Sequence, residues 1–227
     1  MKYVAIRVVA VSALSLLFFS PPSQAQTTGR KPMIIDLASM PAGSKPAGFS
    51  DALTGKGGAV RWQVLEDASA PAGGKVIAQT SADTTDYRFP ICIYDGLTAK
   101  DVEVSVRFKP VSGRVDQAGG IIARVQDPDN YYVVRANALE DNVNLYKVVA
   151  GVRRQIVGYS TSVKGGTWHT LSLKVEGDLL EVVFDGQRVI QTRDGTFGGP
   201  GKVGLWTKAD SVTYFANLEI RNNDKPN

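Results

Sequence analysis

The chain is poor in the residues from which most catalytic and metal centres are assembled. Its 227 residues hold one cysteine, Cys92, and one histidine, His169. A lone cysteine makes no internal disulfide, and metal sites built on Cys/His clusters are excluded by count. Cys92 lies in FPICIYDG, among apolar and aromatic residues, which predicts a buried thiol. Long apolar runs are missing as well. The one sustained stretch, Val8 to Phe19, is shorter than the roughly 20 residues that a membrane-spanning helix needs. Charge of one sign is not concentrated anywhere. Lys and Arg number 26 against 22 Asp and Glu, and no basic run or basic helix accompanies the excess, so no nucleic-acid partner is expected. The fold is left to burial alone, for which a chain of about 200 residues is long enough.

What is present begins with MKYVAIRVVAVSALSLLFFSPPSQAQ. Lys2 and Arg7 precede the apolar stretch, prolines follow it, and Ser23 and Ala25 are the small residues of a cleavage site. Residues 1–25 are read as an export signal. No cysteine follows the apolar run, so a bacterial lipid anchor is not expected. A secreted or periplasmic location follows. Loss of Lys2 and Arg7 lowers the net charge from +4 to +2. Residues 26–32 are polar and expected to be disordered, 33–221 form one domain, and 222–227 are a tail.

The rest of the chain alternates with a period of two. From His169, one face carries His169, Leu171, Leu173 and Val175; the other carries Thr170, Ser172, Lys174 and Glu176. Gly177-Asp178 makes a turn, and Leu180, Val182 and Phe184 alternate again. Asp185-Gly186 makes a second turn, because glycine accepts the positive φ of a type I′ hairpin. Arg188 to Thr192 completes a meander. His169 shares the leucine face, and Glu176, Asp178, Glu181 and Asp185 sit at turns rather than around it. This stretch reads as scaffold. Further strands are expected over 33–38, 59–67, 75–81 and 87–95, the last at an edge or bulge because of Pro90. Others follow over 101–110, in GGIIARVQ, YYVVRANA, VNLYKVV and VRRQIVG, and over 201–208 and 211–220. Met40 to Gly58, rich in Gly, Pro, Ser and Ala, reads as a long loop. Many short strands with Gly/Pro/Asp turns predict an all-β sandwich or barrel.

Three stretches carry a resemblance: WHTLSLKVEGDLLEVVFDG, GKVGLWTKADSVTYFANLEI and GGIIARVQDPDNYYVVRANALEDNVNLYKV. Together they resemble the concanavalin A-like jelly roll of lectins, laminin-G-like modules and family-16 glycoside hydrolases. Within it the chain is most similar to the secreted bacterial family related to 3-keto-disaccharide hydrolases. The resemblance implies a jelly-roll β-sandwich of two antiparallel sheets. One departure bears on activity. Family-16 enzymes carry Glu-x-Asp-x-Glu on one strand, whereas Asp101, Glu103 and Ser105 lack the third carboxylate. Glu140-Asp141 is a second acidic pair, in a stretch read as a turn.

If the strands from Asp101 to Val149 are sheet neighbours, their non-core faces share one surface. It collects Glu103 and Arg107, Arg124, Tyr131, Arg135 and Asn137, then Asn144 and Tyr146. Amide, guanidinium and carboxylate groups bind hydroxyls and aromatic rings pack on pyranoses, so this surface is the expected carbohydrate site. Trp206 is either a stacking platform for it or the cover of a sheet edge. Arg135 either pairs with Glu103 or points into the groove with Arg107 and Arg124. Asp127, Asp129 and Asn130 are ordinary turn residues or oxygen ligands for calcium; no metal site is assigned. The first functional reading is carbohydrate binding. Beside it stand a glycoside-cleaving enzyme acting on disaccharides or their 3-keto forms and a laminin-G-like protein-interaction module.

Overall fold

The computed structural model describes residues 31–71 and 74–225. Residues 1–25, read as an export signal, and all of the polar stretch after them except Lys31 and Pro32, lie outside these residues. Every helix or strand among the described residues is a strand. In chain order they are β1 (Met33–Ile34), β2 (Phe49–Gly55), β3 (Trp62–Glu66), β4 (Lys75–Gln79), β5 (Arg88–Ala99), β6 (Val102–Ser112), β7 (Ala118–Asp127) and β8 (Asn130–Asn137). Then come β9 (Asn142–Val149), β10 (Val152–Ser160), β11 (His169–Glu176), β12 (Leu179–Phe184), β13 (Gln187–Arg193), β14 (Gly201–Trp206) and β15 (Val212–Asn222). They form two antiparallel sheets, the jelly-roll sandwich that the resemblance implies. The eight-stranded sheet runs β13-β12-β11-β6-β15-β4-β3, with β1 also paired to β15; the seven-stranded sheet runs β10-β9-β8-β7-β14-β5-β2.

The inward half of each alternation fills the space between the sheets. Val104, Val106 and Phe108 of β6 and Leu171 and Leu173 of β11 pack in one cluster with Ile121, Tyr132, Val134 and Leu205 of the other sheet. Cys92 is in that cluster as a buried free thiol. The β11–β13 meander forms as read, and Asp185 (φ 46°) and Gly186 (φ 82°) both take the positive φ that a type I′ turn requires.

Three expectations are corrected. The segment from Met40 to Gly58 is not all loop, because Phe49–Gly55 pairs along its whole length with β5. Backbone pairing builds this edge strand where composition argues against one. The first strand covers only two residues. Pro90 lies on an interior strand, between β14 and β2. Its carbonyl accepts from Thr207 N at 3.0 Å. The N–H and C=O of an extended residue point the same way, so the missing donor faces the Thr207 segment, just beyond the end of β14.

The seven-stranded sheet is rolled until its outer face closes on itself. Tyr87, just before β5, donates its hydroxyl to Gly151 O (3.0 Å) and accepts from Arg153 N (2.8 Å), joining one side of the sheet to the far edge strand β10. Thr54 of β2 likewise meets Tyr131 of β8 at 2.8 Å. Two glycines permit the roll. A Cβ on Gly120 would lie 2.5 Å from Val134 O, and one on Gly204 would collide with Cys92 O. Only a bare backbone passes at these points. Inside the roll, Phe89, Ile122, Tyr131, Val133, Val148 and Trp206 make a second apolar cluster, separate from the core between the sheets.

Candidate functional site

The rolled face has an apolar floor and a polar rim. Register places the rim residues. Arg135 of β8 faces Asn144 of β9, and Tyr146 faces Val133 one pleat further along. Residues directly opposed share a face, so Arg135, Asn144 and Tyr146 point to the same side. There they form one network. Arg135 Nη2 donates to Glu140 Oε2 (2.6 Å) and to Tyr146 Oη (3.1 Å), and Nη1 donates to Asn142 Oδ1 (3.0 Å). Asn144 Nδ2 also donates to Tyr146 Oη, at 3.0 Å. The tyrosine oxygen therefore accepts twice, and its own proton has no acceptor among the described residues. The Leu139–Asn142 stretch is the turn that was expected, with Asp141 at φ 48°, yet it returns Glu140 to the rim.

Asp116, Asn137 and Lys208 form the adjoining part. Asn137 Nδ2 donates to Asp116 Oδ1 at 3.0 Å, and Lys208 Nζ lies 3.1 Å from Asp116 Oδ2 and 2.6 Å from Asp86 Oδ1. Burial pushes the Asp116 carboxyl above its ordinary range, against the pull of Arg135 and Lys208. Burial also opposes the Glu140 charge, but Arg135 and Asn142 outweigh it and hold that carboxyl low.

Arg153 closes the other side. It stands opposite Val148, on the same face as Tyr131 and Tyr146. Its Cζ lies 4.6 Å from the ring centroids of Phe89 and Tyr146 and 5.6 Å from that of Trp206. Burial and the neighbouring Arg135 charge hold its pKa below that of an ordinary arginine, although Tyr146 works the other way.

The structure redistributes the expected site. Arg135, Asn144 and Tyr146 come together as read. Glu103 and Arg107 do not join them, because β6 belongs to the eight-stranded sheet and both residues sit on the opposite side of the molecule. Alternation along β6 is right, but its sheet partner is not encoded locally. Arg135 accordingly pairs with Glu140, not Glu103. Arg124 is turned inward by a bulge in β7, where its own φ is 49°. Fully buried, it donates to Lys100 O (2.8 Å), Gly177 O (2.6 Å) and Phe197 O, tying three loops together. Tyr131, Asn137 and Trp206 lie on the expected face but are buried in it. Trp206 stacks on Phe89 at 5.4 Å and offers no open platform. Arg153, Asp116 and Lys208 were missed by sequence reasoning. The two-residue turn at Ala150-Gly151 was the available signal for Arg153, since it sets Arg153 across from Val148.

Two other candidates are scaffold. His169 Nδ1 lies 2.7 Å from Asp185 Oδ2 and Nε2 3.1 Å from Lys164 O, while the ring packs between Phe108 and Phe184. Neither ring nitrogen is left for a substrate. In the DPDN turn, both carboxylate oxygens of Asp127 accept from Asn130 Nδ2 at 2.9 Å. No group of three or more His, Cys, Asp or Glu residues among those described could hold a metal ion, and no described helix is long and apolar enough to cross a membrane.

Residues 53–221 match the family described as the 3-keto-alpha-glucoside-1,2-lyase-like domain. Among solved structures, the carbohydrate binding module CBM66 from Bacillus subtilis is similar with a TM-score of 0.61 at 20% identity, over 77% of this chain and 95% of that one. A putative glycosyl hydrolase from Parabacteroides distasonis gives 0.53 at 15% identity, over 79% and 90%. The Emp47p carbohydrate recognition domain gives 0.54 at 14%, over 84% and 95%. At these identities the likeness is one of fold. No curated protein matches the chain.

Proposed function

The chain belongs to the 3-keto-alpha-glucoside-1,2-lyase-like family, and from that premise we propose that the rim of the rolled sheet binds carbohydrate. One observation carries the reading: Arg135, Asn142, Asn144, Tyr146 and Glu140 converge in a single hydrogen-bonded network beside an aromatic floor. Fixed planar donors and acceptors next to rings are what a polyhydroxylated ring requires. The lectin-like and carbohydrate-module neighbours support this through shared architecture. Calorimetric titration with a panel of neutral and acidic saccharides tests it. Binding by the wild type that Asn144→Ala weakens at least about tenfold, the loss of roughly one good hydrogen bond to a ligand, is the expected result. A panel that yields no heat of binding rejects it.

Glycoside cleavage is the second reading, and the Asp116–Glu140 pair favours it. Both carboxylates feel Arg135, one pushed up and the other held down. Environments that separate two carboxyls in this way suit one to donate a proton and the other to accept one. The family description points to 3-keto-glucosides as substrates. Release of free sugar from a 3-keto-disaccharide, abolished in Asp116→Asn and Glu140→Gln, supports cleavage; binding without release supports a module. Export completes the proposal: residues 1–25 direct the chain out of the cytoplasm. Mass spectrometry of the extracytoplasmic protein is expected to find Gln26 as its first residue.

A further inference from the structure

Five arginines among the described residues are fully or partly withdrawn from water, and three of them bond acceptors through the guanidinium. Arg88 donates to the carbonyls of Gly58, Ala59 and Ala209 and to Ser81 Oγ, at 3.0 to 3.2 Å. Arg124 holds three carbonyls and faces Asp101. Arg135 holds Glu140, Asn142 and Tyr146. The guanidinium of Arg107, on the eight-stranded sheet, bonds none, and neither does that of Arg153, which alone of these two stands on the rolled face over aromatic rings. Its backbone N–H bonds Tyr87, but its guanidinium donates to no acceptor and pairs with no carboxylate among the described residues. Nη1 is buried against the rings without a partner. The side chain as a whole is only half-buried.

Stacking on three rings holds this guanidinium in place without consuming its hydrogen bonds. Cation–π contact with the faces of Phe89, Tyr146 and Trp206 supplies part of the lost hydration, but no ring accepts an N–H in the guanidinium plane. A withdrawn charge with unused donors is costly unless something accepts them. Arg135 lies close enough to repel it. Asp116 and Asp86, two carboxylates whose charges interact with it, are both already engaged by Lys208. The free hydroxyl proton of Tyr146, under the same guanidinium, is a further donor without an acceptor.

We propose that Arg153 is the anchor for a carboxylate on the saccharide, so that the rim selects acidic sugars, uronates, over their neutral counterparts. A planar fork fixed on aromatic faces meets a planar carboxylate with two parallel hydrogen bonds, and the negative charge offsets both the withdrawn cation and its repulsion by Arg135. Neutral hydroxyls accept hydrogen bonds but leave that charge uncompensated. The proposal rests on the rim being the carbohydrate site, and goes beyond it by naming the class of sugar.

The test titrates the full chain with matched pairs: glucuronate against glucose, and galacturonate against galactose. The same pairs are run on Arg153→Ala and Arg153→Lys, with thermal melts of each variant. The wild type is expected to bind each uronate at least about tenfold more tightly than its neutral partner, more weakly as salt is raised. Arg153→Ala is expected to erase the preference. Arg153→Lys, which keeps the charge and loses the fork, is expected to retain only part of it. Equal affinity for acidic and neutral sugars in the wild type overturns the anchor and leaves the carbohydrate reading standing. A preference that survives in a folded Arg153→Ala also overturns it. No binding of either class overturns both.

Discussion

Both outer faces of the sandwich hold a cation over aromatic rings, and the two cations are treated differently. On the eight-stranded sheet, Lys109 Nζ lies 5.1 Å from the ring centroid of Trp168 and 5.2 Å from that of Tyr214. It also donates to Asp67 and, at 2.7 Å, to Ser69 Oγ. On the seven-stranded sheet, Arg153 lies over three rings and its guanidinium donates to no acceptor among the described residues. The first arrangement is complete within the chain and glues a surface together. The second is positioned but unfinished. A cation–π contact by itself does not mark a site; the state of the donors around it does.

The faces also differ in depth, and this sets the size of the expected mutational effects. Trp206 is fully buried in the roll, whereas Trp168 is half-buried on an open sheet. Trp206→Ala is expected to cost about 3–5 kcal/mol of stability, as large aromatic truncations in packed interiors do. Trp168→Ala is expected to cost about 1 kcal/mol. Urea midpoints of the two variants measure the difference, and similar losses would mean that the roll is not a second core.

Arg135→Ala comes next. Removing the cation takes one of two donors from the buried Tyr146 oxygen and the partner from Glu140, which is itself exposed, at a cost of about 1–2 kcal/mol. Glu103→Gln on the open face is expected to change stability by less than about 0.5 kcal/mol.

Proton linkage takes opposite signs at Asp116 on one face and Asp67 on the other. Burial raises the Asp116 carboxyl, so its contribution is fully present below the unfolded value of 3.8 and is lost as pH rises through its higher folded value. Burial works against Asp67 too, but Lys109 and Ser69 outweigh it and lower that carboxyl. Its contribution is present above 3.8 and is lost as pH falls toward its lower folded value. Asp116→Asn is therefore expected to flatten the stability profile on the side above pH 3.8, and Asp67→Asn on the side below it. Denaturant melts across both ranges check the signs. Arg153→Met is also expected to have a small effect. With no bond to lose and a withdrawn charge removed, stability should stay within about 1 kcal/mol of wild type, or rise. A large fall would reveal a structural role.

The architecture was legible where pairing is local. The β11–β13 meander, the Asp185-Gly186 turn and the alternation of β6 are all written in runs of a few residues. Hairpin register carried Arg135, Asn144 and Tyr146 to one face, because β8 and β9 are adjacent in chain and in sheet. What was not legible depends on distant partners. Nothing in β6 tells which sheet it enters, so Glu103 and Arg107 were placed on the wrong side. The bulge that turns Arg124 inward leaves alternation on either side of it intact. The β2 strand exists because β5 pairs with it. The roll is set by backbones meeting at Gly120 and at Gly204, the second against Cys92 on a strand far away in sequence, and it converts an expected open groove into a floor with a rim.

Cys92 lies between the sheets with no exposed surface, and it is the only thiol in the chain. Burial also pushes its pKa well up, away from the reactive thiolate. A reagent in solvent meets this sulfur only when the two layers part. The rate at which a native sample takes up one label therefore times the separation of the sheets, with no background from other sites. The same seclusion keeps folded copies from cross-linking in an oxidising medium, while a copy that opens exposes its one sulfur to any other.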